Sequence, residues 1–333
     1  MTGHRRQAVS FIIPVYNAQD TVGATLDSIV QLKIDVLLQL IVVDDGSTDR
    51  SADAVREWIV KHQNSYLTVE LIQQANQGEA AAMNRGLQSA KHPVVAWVES
   101  DVTLDPDWLG HLLPELDDPM VAGAGGVLYP APGEPPMARI FGYEITYKIL
   151  KNYPAPRHIT SANALYKKQV LDTVGPCRSE LGESSFDSEL NQRLRDRGYQ
   201  LRCNPQARAW HRFKTTLRGC LTRAWWYGLR RPFVTTQVLY RFDRVIGLLV
   251  LAAGLLCPAL IGLWFAPVPA LWGLGGIVLL HSLYSVHLFR TFQDRILLVS
   301  APLFLLRNAV FLPAYGLGWI LKILDQSKEE PRS

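Results

Sequence analysis

The chain has 333 residues, 48% hydrophobic and 19% charged, with a formal net charge of +4. It is long enough for one α/β domain and a further segment. Cys177, Cys203, Cys220 and Cys257 share no close spacing, which excludes a zinc-ligand pattern or a disulfide framework and fits buried or lipid-facing thiols in a reducing compartment.

The averages conceal three compositions. Up to about Leu201 the sequence is that of an ordinary soluble α/β protein. Between Pro205 and Arg244, nine Lys and Arg residues face a single acid, Asp243, among Trp210, Trp225, Trp226 and Tyr227, a combination suited to an anionic surface. From Val245 to Phe289 there is no Asp, Glu, Lys or Arg at all.

The amino terminus resembles a signal peptide only superficially, because its apolar stretch is short, is stopped by Pro14 and lacks a small-residue cleavage site. Residues 9–15 are predicted as the first strand, which leaves the catalytic part in the cytoplasm. Asp20 or Thr21 caps a helix with Val22, Leu26, Ile29 and Val30 on one face. Residues 38–43 form a second strand, and Ser47 to Asp49 cap a helix with Ala52, Val55, Ile59 and Val60 inward. Residues 67–72 form a third strand, 79–90 a third helix and 94–98 a fourth strand. Strands alternating with helices of this length imply parallel pairing and right-handed crossovers. Beyond Asp101 the pattern loosens into a short helix from Pro106, a Gly-rich strand over 121–129 and a movable loop over 130–136. A strand over 159–166, an amphipathic helix over 187–197 and a return to the sheet over 199–203 follow.

Two acidic clusters end apolar runs. Asp44, Asp45, Gly46, Ser47, Thr48 and Asp49 follow the second strand, and Glu99, Ser100 and Asp101 follow the fourth. Carboxylates at the carboxyl ends of buried strands lie along the crevice where open α/β sheets bind ligands. One such cluster is a common strand-end turn; two on one edge point to a nucleotide and a divalent cation. Pro14 fixes the backbone leaving the first strand, Tyr16 can cover a flat ring, and Asp44 can accept from a base N–H or a ribose hydroxyl. Residues 74–86 open a helix with small side chains, which let a ligand approach the backbone where the helix dipole favours negative charge. Ala80, Ala81 and Ala82 would serve tight helix–sheet packing equally well.

Taken in order, Pro14, Tyr16 and Asn17, then Val43 to Ser47 with Asp49, then Asn76, Gly78, Ala82, Asn84 and Gly86 resemble the motifs of family-2 inverting glycosyltransferases. The resemblance covers roughly residues 8–230. It implies an α/β fold of the GT-A type, a Rossmann-like, mainly parallel sheet with flanking helices. It places Pro14, Val15, Tyr16 and Asp44 around the nucleoside and Ala81 and Arg85 near the ribose and diphosphate. Asn17, Asp45, Gly78 and Asn84 join the same donor site. Asp101 corresponds to the metal-binding end of an Asp-x-Asp motif whose first position is here Glu99. Both can ligate Mg²⁺ or Mn²⁺, with the nucleotide phosphates completing the shell. In the acceptor half, residues 161–166 resemble the family's short strand and residues 186–194 its Glu-Asp-x-x-Leu-x-x-Arg-Leu helix start. Asp187 then takes the place of the general base, with Phe186 replacing the acid before it; Asp187 also suits a helix cap. Arg223 and Trp226 loosely match a Gln-x-x-Arg-Trp-like motif, as contacts to the diphosphate and a sugar face, or else as part of a helix resting on lipid. His211, a lone histidine, is either structural or close to phosphate.

Residues 245–266 and 268–289 are each long enough to cross a bilayer. Arg241, Arg244, Arg290 and Arg295 flank the pair, which predicts a hairpin with both ends in the cytoplasm and its Pro267 turn outside, in a multi-pass protein of the inner (cytoplasmic) membrane. A helical pair buried in a soluble core is the alternative. Residues 296–323 carry Arg307 near the middle and contain Pro302 and Pro313. A broken helix in the interface avoids the cost of a mid-bilayer charge, at least about 2.5 kcal/mol. The expected division is a catalytic domain over 1–204, basic aromatic interfacial helices over 205–244, a transmembrane hairpin over 245–289, and a broken interfacial or re-entrant helix with a polar tail over 290–333.

The resemblance implies metal-dependent transfer of a hexose from a nucleotide-diphosphate sugar to a lipid-linked saccharide or polysaccharide acceptor at the cytoplasmic face. Membrane lipid is an expected partner and nucleic acid is not. Transfer to polyprenyl phosphate itself is an alternative, and a non-catalytic scaffold within an export assembly is another. Glu99 and Phe186 keep the scaffold open; the intact Asp44, Asp101 and Asp187 argue against it.

Overall fold

A computed structural model describes residues 8–62, 67–179, 186–213, 216–234 and 267–329. Its first half alternates as the sequence predicts: β1 (Ala8–Val15), α1 (Val22–Val30), β2 (Leu37–Asp44), α2 (Ser51–His62), β3 (Leu67–Gln73), α3 (Glu79–Ser89) and β4 (Val94–Val98). After these come β5 (Val102–Leu104), α4 (Trp108–Leu112), β6 (Val121–Pro130), α5 (Pro136–Leu150), β7 (Asn163–Lys167), α6 (Lys168–Val174), α7 (Phe186–Asp196), β8 (Gln200–His211) and α8 (Leu217–Val234).

The eight strands form one mixed sheet in the order β3-β2-β1-β4-β7-β6-β8-β5. β1 pairs in parallel with β2 and β4, and β2 with β3, so the carboxyl ends of these four strands share one edge. β7 runs antiparallel to both β4 and β6, while β6 and β8 are parallel. Successive strand residues face opposite sides, and β1 is buried on both. Phe11 and Ile13 join one core with Leu26, Trp58 and Trp108. Ile12 joins another with Met83, Trp97, Tyr166 and Phe186. Two apolar layers explain why these strands read as unbroken apolar runs.

Several local expectations are corrected. Val60 is 84% exposed, and Trp58 turns inward from α2 instead. Thr21 precedes α1 without a side-chain capping bond, its hydroxyl donating to the Ala18 carbonyl at 3.3 Å. Asp49 does cap α2, accepting the Ser51 N–H at 2.9 Å. The strand expected from 159 begins at Asn163, and the one expected to end at 203 continues to His211, so the 204/205 division falls inside β8. α5 and α6 were not anticipated.

The chain divides into two compact units, residues 1–133 with 145–212 and residues 134–144 with 213–333. The first holds the whole sheet. The second holds α8, a helix over Pro267–Phe292, a 3-10 turn over Arg295–Val299 and a helix over Ala301–Glu329. α8 and the last helix pack closely through glycine: a Cβ on Gly318 would collide with the Leu229 carbonyl oxygen, and one on Gly228 would lie 2.5 Å from that of Phe311.

The break expected at Pro302 and Pro313 is also corrected. Ala301–Glu329 is continuous, with Pro302 in its first turn and Pro313 inside it. Among the described residues, Ala301–Lys322 of this helix is the stretch long and apolar enough to cross a bilayer. The charge that argued against a span has a partner, because Arg307 bonds the carboxylate of Glu144, itself only 3% exposed. Asn308 extends the chain, accepting from Arg307 at 2.9 Å and meeting His281 Nε2 at 3.0 Å. The first arm of the expected hairpin, 245–266, lies outside the described residues, so these carry one candidate span and not a multi-pass arrangement.

Candidate active site

The parallel strands deliver the first group of site residues to one edge. Pro14 and Val15 are buried in β1 opposite Val43 and Asp44 of β2, and Tyr16, just past β1, is 50% exposed. Asn17 stitches the two strand-end loops together: its N–H donates to Ser47 Oγ at 3.0 Å, and its Oδ1 accepts the Thr48 N–H at 2.8 Å. Asp44 is buried and accepts from the Ser47 N–H and the Gln73 amide, each at 3.0 Å.

Asp45 is 3% exposed, with both carboxylate oxygens committed. It accepts the Gln74 amide at 2.7 Å, the Gln77 N–H at 2.9 Å and the Gly78 N–H at 2.8 Å, which folds the loop ahead of α3 against β2. Gly46 is required by this approach, since it has φ +73° and an added Cβ would lie 2.7 Å from the Asn76 nitrogen. On α3, Ala81 is half-buried, and Arg85 is exposed with its guanidinium 3.4 Å from Gln88. Asn84 turns the other way and clasps the Cys177 backbone, donating to its carbonyl and accepting its N–H at 2.8 Å each.

The second group forms around the end of β4. Glu99, Asp101 and His211 each present a ligating atom, all within 4.8 Å of one another. His211 Nε2 lies 3.2 Å from Asp101 Oδ1 and 3.5 Å from Glu99 Oε2. Two carboxylates and an imidazole are a donor set for a divalent transition ion, so the residues fit the metal that the resemblance implies. His211 reaches them through β5, whose antiparallel pairing with β8 sets Val102 opposite His211. Sequence reasoning left His211 outside this set, since a three-residue strand leaves no readable pattern.

The third group surrounds Asp187 in the first turn of α7. Phe186 is 1% exposed and packs 6.4 Å from the Trp97 ring, so the residue replacing the family's acid anchors the helix start in the core. Asp187 is largely buried, with Oδ1 2.6 Å from the Ser188 N–H and Oδ2 3.5 Å from His158 Nε2. His158 Nδ1 in turn lies 3.0 Å from Asn191 Nδ2, and Tyr166 donates to Asn191 Oδ1 at 3.2 Å. Complete burial, then the nearby Asp187 carboxylate, raises the Tyr166 hydroxyl well above its ordinary value, so it stays a donor. His158, a solitary loop histidine, gave no sequence signal.

One short loop joins the second and third groups. Ser161 Oγ lies 3.4 Å from carboxylate oxygens of both Glu79 and Glu99, while His158 faces Asp187. Three residues span at most about 11 Å, which limits how far the two carboxylate sites can be separated.

Arg223 and Trp226 lie on α8, in the second unit. Trp226 is exposed beside Trp225 and Tyr227, with the Arg230 guanidinium 4.8 Å over its ring.

Residues 10–175 match the family model described as Glycosyl transferase family 2. The chain carries a glycosyl transferase family 2 domain. Poly-beta-1,6-N-acetyl-D-glucosamine synthase of Staphylococcus aureus (strain MSSA476) is 26% identical to this chain over 253 residues, covering 72% of this chain and 60% of the synthase. This chain thus spans less than two thirds of the length of that relative. Among solved structures, the mannosyltransferase PcManGT from Pyrobaculum calidifontis, in complex with GDP-Man and Mn²⁺, matches with a TM-score of 0.66 at 20% identity, over 98% of this chain and 89% of that one. S. aureus TarS 1-349 in complex with UDP matches with a TM-score of 0.50 at 15% identity, over 98% and 93%. The glycosyltransferase domain has the GT-A fold.

Proposed function

We propose that this glycosyltransferase moves a hexose, with inversion, from a nucleotide-diphosphate sugar to a hydroxyl of a lipid-linked saccharide or growing polysaccharide, at a membrane surface. The observation that carries the reading is the convergence of Glu99, Asp101 and His211 within 4.8 Å at the edge that also presents Asp44 and Tyr16. Tyr16 and Asp44, with Pro14 and Val15, receive the nucleoside, and the start of α3 with Ala81 and Arg85 faces the diphosphate. Asn17, Asp45, Gly78 and Asn84 support that site by shaping its loops.

Asp187 is the base. Its carboxylate takes the acceptor hydroxyl's proton as that oxygen forms a bond to the anomeric carbon and the bond to the diphosphate breaks. A divalent ion held by Glu99, Asp101 and His211 supplies neutralising charge for the departing diphosphate. The imidazole favours Mn²⁺ over Mg²⁺, which prefers oxygen alone. The pairing of intact Asp44, Asp101 and Asp187 with a metal-competent His211 favours an enzyme over a scaffold.

Membrane attachment is supported by the second unit. Leu279, Leu280 and Leu283 are more than half exposed, as is Val299, and α8 carries an exposed Trp-Trp-Tyr run beside basic residues. Among the described residues, Ala301–Lys322 is the candidate span. The soluble domain works at the cytoplasmic face.

The test is a thermal-shift screen of UDP, GDP and their sugars with and without Mn²⁺ on the full chain. Ligands that bind the folded state raise the melting temperature by mass action. One nucleotide should stabilise the chain only with Mn²⁺; no shift with any nucleotide would return the chain to the scaffold reading.

A further inference from the structure

We propose that His158 is a positioning residue for Asp187, its ring locked into one tautomer by Asn191 so that Nε2–H holds the carboxylate in place. The proposal rests on the reading of Asp187 as the base. The argument starts at Asn191, fully buried on α7. One end of its amide lies 2.6 Å from the Ile159 carbonyl oxygen, which only accepts, so that end is the NH₂ group. The other end is then the oxygen, which accepts the Tyr166 hydroxyl at 3.2 Å.

The NH₂ group also lies 3.0 Å from His158 Nδ1. An amide nitrogen donates and does not accept, so Nδ1 is the acceptor. Ser188 Oγ, 3.5 Å away, can donate to the same atom. The neutral ring then carries its proton on Nε2, and Nε2 is the atom 3.5 Å from Asp187 Oδ2. Both ring nitrogens thus face protein groups, Nδ1 the Asn191 amide and Nε2 the Asp187 carboxylate. Its work is to fix one carboxylate oxygen while the other lone pairs face the acceptor. The loop carrying His158 also carries Ser161 to Glu99, so one four-residue stretch touches both carboxylate sites.

The substrate-free test is long-range ¹H–¹⁵N NMR of the histidine-labelled full chain in detergent at pH 8, with the His158 signal assigned by its loss in His158→Gln. A ring protonated on Nε2 is expected; one protonated on Nδ1 overturns the proposal. The kinetic test uses turnover of UDP-N-acetylglucosamine or GDP-mannose with Mn²⁺, whichever the chain consumes. His158→Ala should lower kcat by about tenfold or more, the scale of a lost supporting hydrogen bond, with donor KM within about twofold. His158→Gln should recover most of that loss, because its amide presents an acceptor beside a donor as the neutral ring does. Wild-type kcat in His158→Ala, or a glutamine variant as slow as the alanine one, overturns it. Asp187→Asn separates the two readings. If it loses turnover while His158→Ala does not, only the positioning role fails; if it keeps turnover, the base assignment fails and the proposal with it.

Discussion

His211 and Asp101 stand 3.2 Å apart, Nε2 to Oδ1, because β5 pairs with β8 so that Val102 faces His211. The backbone reinforces this, as the Arg212 N–H donates to the Asp101 carbonyl at 3.0 Å. A three-residue strand thus sets an imidazole beside the two carboxylates of the motif.

His211→Ala and Asp101→Asn should each abolish most of the Mn²⁺-dependent stabilisation by nucleotide, which for wild type at 100 times Kd is about 2.7 kcal/mol. Glu99→Asp should keep it, since a shorter carboxylate still offers oxygen to the ion. A His211→Ala protein with the full Mn²⁺-dependent shift would remove His211 from the ligand set.

Asp45→Ala should destabilise the folded domain by about 3 kcal/mol, because the Gln77 and Gly78 N–H groups and the Gln74 amide lose their acceptor in a buried place. Urea unfolding followed by circular dichroism measures this. A loss below about 1 kcal/mol, with donor affinity reduced, would show that Asp45 serves the nucleotide and not the loop.

Arg307→Leu should cost about 3–5 kcal/mol, because it removes the guanidinium bonded to the buried Glu144 carboxylate. The double variant Glu144→Leu with Arg307→Leu should recover most of the loss. Thermal denaturation in detergent reads both, and a double variant no better than the single one would show that the pair does not act as a unit.

Burial pushes the Cys177 and Cys203 thiols up to about 12. The folded values lie above the unfolded ones, so the native state favours the protonated form. That contribution is complete below about pH 9, where the unfolded thiols begin to ionise, and is lost as pH rises towards 12. Tyr166, raised by burial, adds in the same direction. The melting temperature should therefore fall steadily above pH 9, and Cys177 and Cys203 should resist iodoacetamide in the native chain at pH 8. Rapid native labelling of either would contradict their burial.

Much of this was legible in the residues. The parallel half follows from apolar runs ending in acids, and the strand ends set Asp44, Glu99 and Asp101 where the sequence places them. His211 was not legible, because the β5–β8 pairing that brings it in is long-range and β5 is too short to show a period. Asp45 and Asn84 look like ligand residues in sequence, but their hydrogen bonds go to the protein's own loops. The last helix was expected to break at Pro313, and it runs through that residue unbroken. A charge in an apolar run looks prohibitive until its partner is known, and Glu144 lies far away in α5, an element whose pattern was not recognised.

The most direct test of the central claim is the anomeric configuration of the sugar product, read by ¹H NMR during Mn²⁺-dependent turnover of an α-linked nucleotide sugar by wild type and Asp187→Asn. The account predicts a β-configured product from wild type and a rate lower by about 100-fold or more in the variant, the scale of a lost general base. An α-configured product, or a variant as fast as wild type, would contradict inversion with Asp187 as the base.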